Sequence, residues 1–192
     1  MHKNTVVRVD DIPKEQDFFS MHAICYKTEI LKENYIKLTE HCFYTDSEYV
    51  LYPMIYIQTV IYFPINLYQY RVGIEGQSVS LTGIREHIKD LETVISQINI
   101  YFDNYGKELP ENVEYRISAL YKNYILGILV QRSSVNMKRK LSEFIYEIRK
   151  RYPKRYQFME NRKIRLIALS HGALYWFCVW YVRNIEKEKA YL

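Results

Sequence analysis

The chain has 192 residues, 48% hydrophobic and 26% charged, with 27 Lys and Arg against 22 Asp and Glu for a net charge of +5. Six glycines and five prolines are too few for a disordered or collagen-like chain, and the length suits one domain with a sizeable core or two small ones. Three scattered cysteines, Cys25, Cys42 and Cys178, exclude a disulfide framework and a zinc cluster; no cleavable signal pattern follows Met1, so a reducing cytoplasm is the expected compartment.

From the N-terminus, the apolar run His22-Ala23-Ile24-Cys25-Tyr26 predicts a short strand, and residues 29–34 a short helix. Thr45-Asp46-Ser47-Glu48 has the spacing of a capping box and predicts a helix starting at Thr45 and kinked at Pro53. Residues 60–63 and 67–72, separated by a turn at 64–66, read as two strands in a hairpin. Beyond Gly83 the period changes. Ile84, Ile88, Leu91, Ile95, Ile98, Phe102 and Tyr105 lie on one face of an amphipathic helix, with Gly106 near its C-cap and Pro110 near the next start. A second helix carries Val113, Ile117, Leu120 and Tyr124, and a third carries Met137, Leu141, Phe144 and Ile148 and ends near Pro153.

Charge is unevenly distributed. Residues 1–100 hold 9 Lys and Arg against 13 Asp and Glu, and residues 101–192 hold 18 against 9, so the halves carry −4 and +9. The excess is a basic stripe over residues 132–165, where 12 cations face only Glu143, Glu147 and Glu160. Such a stripe suits an anionic membrane surface or nucleic acid, or is simply a solvated helix face; nucleic acid is disfavoured because no binding motif accompanies it. It is followed by an aromatic helix, 166–182, whose 17 uncharged residues are at the short limit for crossing a bilayer and suit its interface or a plain core surface better.

Two places could carry chemistry. A carboxylate at Asp46, in the first turn of a helix, stays ionised and could act as a general base, or could merely favour the helix terminus, with Glu48 closing the cap. The loop holding Gly73 and Gly76, with Arg71 before it and Ser78 after it, could offer N–H groups, a hydroxyl and a guanidinium to a diphosphate, or could be a surface loop that uses its glycines for φ > 0. His22 lies near the predicted sheet, where it could face a pocket or be structural. The tyrosines of 49–70 could stack on sugars or pack a half-wet sheet.

Taken together, Met21-His22-Ala23-Ile24-Cys25-Tyr26-Lys27, Tyr44-Thr45-Asp46-Ser47-Glu48-Tyr49-Val50-Leu51-Tyr52-Pro53, Leu67-Tyr68-Gln69-Tyr70-Arg71-Val72-Gly73 and Gly76-Gln77-Ser78-Val79-Ser80 resemble, in order, the acceptor-side half of bacterial family 2 glycosyltransferases over roughly residues 10–85. The resemblance implies a GT-A type α/β domain that transfers a sugar with inversion from a nucleotide-diphosphate donor to a hydroxyl acceptor in cell-surface polysaccharide or glycolipid synthesis. It makes Asp46 the catalytic base, with Thr45 where the family usually has Glu, and puts Arg71, Gln77 and Ser78 near the donor phosphates. The substrate-binding set is then His22, Glu48, Arg71, Gln77 and Ser78. The family's Asp-x-Asp motif, which holds donor and a divalent Mg or Mn ion, has no counterpart: Asp10 and Asp11 are adjacent. The expectation is therefore the C-terminal part of a longer enzyme, inactive alone and binding no metal by itself.

The expected fold class is α/β to α+β: a partial GT-A acceptor-side region with a small sheet over residues 1–82, then a helical region over 83–192. Expected partners are a nucleotide-sugar, a saccharide or lipid-linked acceptor, an anionic membrane surface and a second copy of the chain. The alternative is a non-catalytic remnant acting as a helical dimerisation or membrane-surface module.

Overall fold

A computed structural model describes residues 5–13, 20–66, 68, 69, 71, 80–170 and 173–184. Over these residues the fold is α+β, mostly helical with one two-stranded antiparallel sheet. The strands are β1, Val6–Arg8, and β2, Thr59–Ile61. The helices are α1, Thr28–Glu33; α2, Asp46–Leu51; α3, Leu81–Glu86; α4, Ile88–Tyr105; α5, Glu111–Val130; α6, Val135–Arg151; α7, Pro153–Met159; α8, Arg162–Leu169; and α9, Tyr175–Asn184. Tighter 3-10 turns occupy Val9–Asp11, Met21–Ala23 and Tyr52–Ile55.

The chain divides into two compact units: Met1–Val72 with Thr93–Arg116, and Gly73–Glu92 with Ile117–Leu192. Two of the three divisions fall inside α4 and α5, so the first unit draws residues 93–116 from the helical part of the sequence.

In the first unit, β2 pairs with β1 in the register Val6↔Ile61, Val7↔Val60 and Arg8↔Thr59. This corrects the hairpin expected between residues 60–63 and 67–72: Tyr68, Gln69 and Arg71 are not in a strand, and residues 67, 70 and 72 lie outside the described residues. The strand expected over 22–26 is also absent. Met21–Ala23 is a 3-10 turn closed by the Ala23 N–H donating to the Ser20 carbonyl at 2.9 Å, and residues 24–27, which follow it, are not in a strand. Alternating apolar residues need a neighbouring strand to become a strand, and apolar pattern alone does not reveal one. The helix after Thr45 forms, and Pro53 converts it into the Tyr52–Ile55 turn, where the missing donor costs little. Val50, Leu51, Tyr52 and Met54 are buried, as are Val94, Ile98, Phe102 and Val113. Tyr52 stacks on Tyr101 with ring centroids 3.9 Å apart, and the Tyr101 and Tyr56 hydroxyls share a hydrogen bond of 3.1 Å.

In the second unit, Ile117, Tyr121, Ile128, Leu141, Ile148, Met159, Ile164 and Tyr175 are buried. Phe144 meets Tyr121 and Tyr124 edge-on at 5.5 and 4.8 Å. Gly127 is needed for close approach, since a Cβ there would stand 3.1 Å from Ile84 Cγ2 and 3.2 Å from Ile88 Cδ1. Three helix starts here, those of α3, α6 and α8, use side-chain caps. Ser80 Oγ accepts from the Gly83 N–H at 3.0 Å, Ser134 Oγ from the Met137 N–H at 3.2 Å, and Asn161 Oδ1 from the Ile164 N–H at 2.9 Å.

Two helical expectations change. The helix expected from Ile84 to Tyr105 breaks at His87, whose backbone leaves the helical region (φ −104°, ψ 23°) and whose Nδ1 lies 3.3 Å from Asp90 Oδ2. The helix expected to end near Pro153 does so, α6 stopping at Arg151, and Pro153 in turn opens α7, where it lacks no intrahelical donor. The single aromatic helix expected over 166–182 is two helices. Ser170 Oγ donates to the Ile167 carbonyl at 3.0 Å and accepts from the Leu174 N–H at 3.3 Å, a local alternative to helical pairing. Gly106 has φ +65°, the left-handed conformation expected at a C-cap.

Candidate functional site

The site suggested by the sequence centres on α2, in the first unit. Thr45 precedes this helix with helical dihedrals (φ −68°, ψ −13°) and makes no side-chain cap. The capping box is therefore not formed. Glu48 is instead fully buried: its Oε2 accepts the Thr39 N–H at 2.7 Å, and its Oε1 accepts the Thr39 hydroxyl at 2.7 Å and the Tyr52 hydroxyl at 3.2 Å. A carboxylate with three donors is well compensated for burial, whereas an N-cap role would have left it in water. With both oxygens engaged inside the protein, Glu48 positions the chain around α2.

What Glu48 holds is a loop under backbone strain. Tyr35, His41 and Tyr44 have φ of 50°, 53° and 68°, each costing about 1–2 kcal/mol for a residue with a Cβ. Such strain persists only where neighbouring contacts over-determine the conformation, and the two Thr39 bonds to Glu48 lie between the first and second of these residues. The far end of α2 is tied by Tyr26, whose hydroxyl donates to the Val50 carbonyl at 2.9 Å and whose ring meets Tyr49 edge-on at 5.4 Å. The hydroxyls so used stay protonated well beyond the ordinary tyrosine range. Burial is the main cause for both Tyr52 and Tyr26, followed by the Glu48 charge and hydrogen bond for Tyr52 and by Tyr49 for Tyr26, with Arg116 opposing the latter.

Asp46 is exposed at the start of α2, and the Met21–Ala23 turn that carries His22 packs against this helix. His22 stacks on Tyr68 with ring centroids 4.4 Å apart and planes 16° from parallel, and Tyr68 remains 55% exposed. Arg71 is exposed, three residues beyond Tyr68. The fold thus brings the His22 turn to α2 and sets His22 on Tyr68. Gln77 and Ser78 lie outside the described residues, as does the rest of the glycine loop at 72–79. Chemically, the surface offers an exposed carboxylate and an aromatic platform fit for the apolar face of a sugar ring; Arg71, farther along the chain, carries an exposed guanidinium of a kind that suits phosphate. Among the described residues no three His, Cys, Asp or Glu side chains are grouped to hold a metal ion.

Sequence reasoning missed Thr39 and Tyr26 as partners that build this surface, and it offered Tyr68 only among the tyrosines of 49–70, without its pairing to His22. Each lies 9 to 46 residues from its contact along the chain, and no local spacing announces such a pairing.

The basic stripe is less uniform than its sequence. Arg155 is buried, donating to the Tyr121 hydroxyl at 3.0 Å with its guanidinium 4.2 Å from the Tyr152 ring centroid. Lys140 pairs with Glu92 at 2.6 Å, Arg139 with Glu143 at 3.7 Å and Arg151 with Glu147 at 3.0 Å. No described helix is long and apolar enough to cross a membrane. Comparison with protein-family models, with curated proteins and with solved structures finds no match to this chain.

Proposed function

We propose that this chain supplies the acceptor side of a GT-A type inverting glycosyltransferase, with Asp46 as the base that takes the proton of the acceptor hydroxyl. The observation that carries this reading is the exposed Asp46 carboxylate on α2, against which the turn bearing the His22–Tyr68 stack is packed. In the reaction the acceptor oxygen attacks the anomeric carbon as Asp46 accepts its proton, the bond to the nucleoside diphosphate breaks, and the departing diphosphate carries away the electron pair. Arg71 is suited to meet that developing charge. The strained loop held by Glu48 serves to fix α2, because a general base must stand within hydrogen-bond reach of its proton.

The test is an NMR titration of the intact chain with alkyl glucosides, galactosides and N-acetylglucosaminides. Shifts should cluster at His22, Asp46, Tyr49 and Tyr68, and Tyr68→Ala should weaken them by about tenfold, as loss of a stacking ring does. Where transfer is measured, Asp46→Asn should lower it by about 10²- to 10⁴-fold with glycoside binding retained. Glycosides that leave all four residues unmoved, or an Asp46→Asn chain that supports full transfer, would overturn the reading.

A further inference from the structure

Helix α9 is apolar on both sides. Tyr175, Val179 and Val182 are buried, whereas Trp176, Phe177 and Trp180 are 49%, 59% and 55% exposed. At roughly 100° per residue these three aromatics fall within about 100° of arc, so they form one outward face. Phe177 and Trp180 lie against each other, 6.1 Å between centroids. Helix α8 repeats the arrangement, burying Ile164 and Ile167 and exposing Arg165, Leu166 and Leu169. A helix on the surface of a soluble domain normally turns charge outward, and residues 166–182 have none to turn.

We infer that the outward faces of α8 and α9 lie on an anionic lipid bilayer. Charge selects this occupant: residues 149–165, which precede the aromatic face in sequence, contain eight Lys and Arg against the single acid Glu160; Arg155 is buried and Arg151 is paired with Glu147, while Arg149, Lys150 and Arg165 are exposed. Cations flanking an outward tryptophan face are what the headgroup region of an anionic bilayer takes up. Over its described residues α9 is too short to cross a bilayer, since these 10 residues reach only about 15 Å, half of a hydrocarbon core of roughly 30 Å. Seated flat, the helix puts Trp176, Phe177 and Trp180 at the headgroup–acyl boundary and keeps Tyr175, Val179 and Val182 in the protein core. This inference does not depend on the glycosyl-transfer reading.

The chain contains its own probe, because its two tryptophans are Trp176 and Trp180, both on this face. Vesicles of phosphatidylcholine mixed equally with phosphatidylglycerol should shift tryptophan emission of the intact protein to the blue and carry the protein up in flotation. Phosphatidylcholine alone should bind at least about tenfold less, and high salt should release the protein. Lipids brominated near the headgroup should quench the emission, which requires no variant. Replacing both residues, Trp176→Ala with Trp180→Ala, should cut flotation at least about tenfold with unchanged circular dichroism, as both side chains are surface-exposed. Unshifted, unquenched emission with no flotation would overturn the inference. So would binding indifferent to phosphatidylglycerol and salt, or a blue shift that appears on raising the protein concentration without lipid, the mark of self-association instead.

Discussion

Glu48 is the residue on which the geometry around α2 depends most directly. Its carboxylate accepts hydrogen bonds of 2.7, 2.7 and 3.2 Å and has no exposed surface. A hydrogen bond to a charged group contributes about 1.5–3 kcal/mol, and a buried donor left without a partner costs about 1–3 kcal/mol. Glu48→Ala removes both short bonds, strands the Thr39 amide and leaves a void, so the expected loss is about 3–5 kcal/mol, against a total stability of about 5–15 kcal/mol. Glu48→Gln separates hydrogen bonding from volume. The amide oxygen can still accept the Thr39 N–H, and the new NH₂ can donate to hydroxyls that rotate to accept, so the cost falls to about 1–2 kcal/mol. Tyr52→Phe removes only the longest bond, for about 1 kcal/mol. Urea unfolding followed by far-ultraviolet circular dichroism measures the series, and amide exchange at Thr39 reads the loop directly. The expected order is Ala well above Gln, with Thr39 exchange accelerated in the Ala variant. A Glu48→Ala chain within about 1 kcal/mol of the parent, or a Thr39 amide exchanging at the parental rate, would refute the argument.

Tyr26, Tyr52, Tyr101 and Tyr124 all keep their phenolic protons above the ordinary value, chiefly through burial. The folded chain therefore binds these protons more tightly than the unfolded one: stability is unaffected below about pH 10, the unfolded value, and falls as pH rises beyond it. Urea midpoints taken on either side of that pH should show this fall, and Tyr52→Phe should flatten it; a flat profile would contradict the burial. Arg155→Ala should cost about 2–4 kcal/mol, because it removes the donor to Tyr121 and the packing on Tyr152, whereas Arg139→Ala, at an exposed pair, should stay within about 0.5 kcal/mol. Thermal unfolding of the two variants compares them, and equal losses would count against a buried role for Arg155.

Helix existence was legible from local pattern wherever one apolar face persisted, as in α4, α5 and α6. Where helices stop was not legible from that pattern: α3 and α4, and α8 and α9, are separate helices although the apolar spacing continues across each pair. The capping box at Thr45 had the right residues but not the right fate, because Thr39 offered Glu48 two donors that a cap could not match. Asp46 and Arg71 were identifiable as charged side chains, and both are exposed; His22 needed Tyr68, 46 residues away, to become half of a platform.

By itself, then, the amino-acid order determined the helical character of the second half, the segregation of charge and the uncharged run of 166–182, since each is a property of near neighbours at a period of 3.6 residues or of simple counting. Tertiary structure alone decided that β2 pairs with β1, that Glu48 points inward, that Arg155 leaves the basic stripe for the core, and that both tryptophans face outward. Those outcomes rest on which distant group can satisfy a buried polar atom or cover an apolar face, a competition settled only when the whole chain has packed.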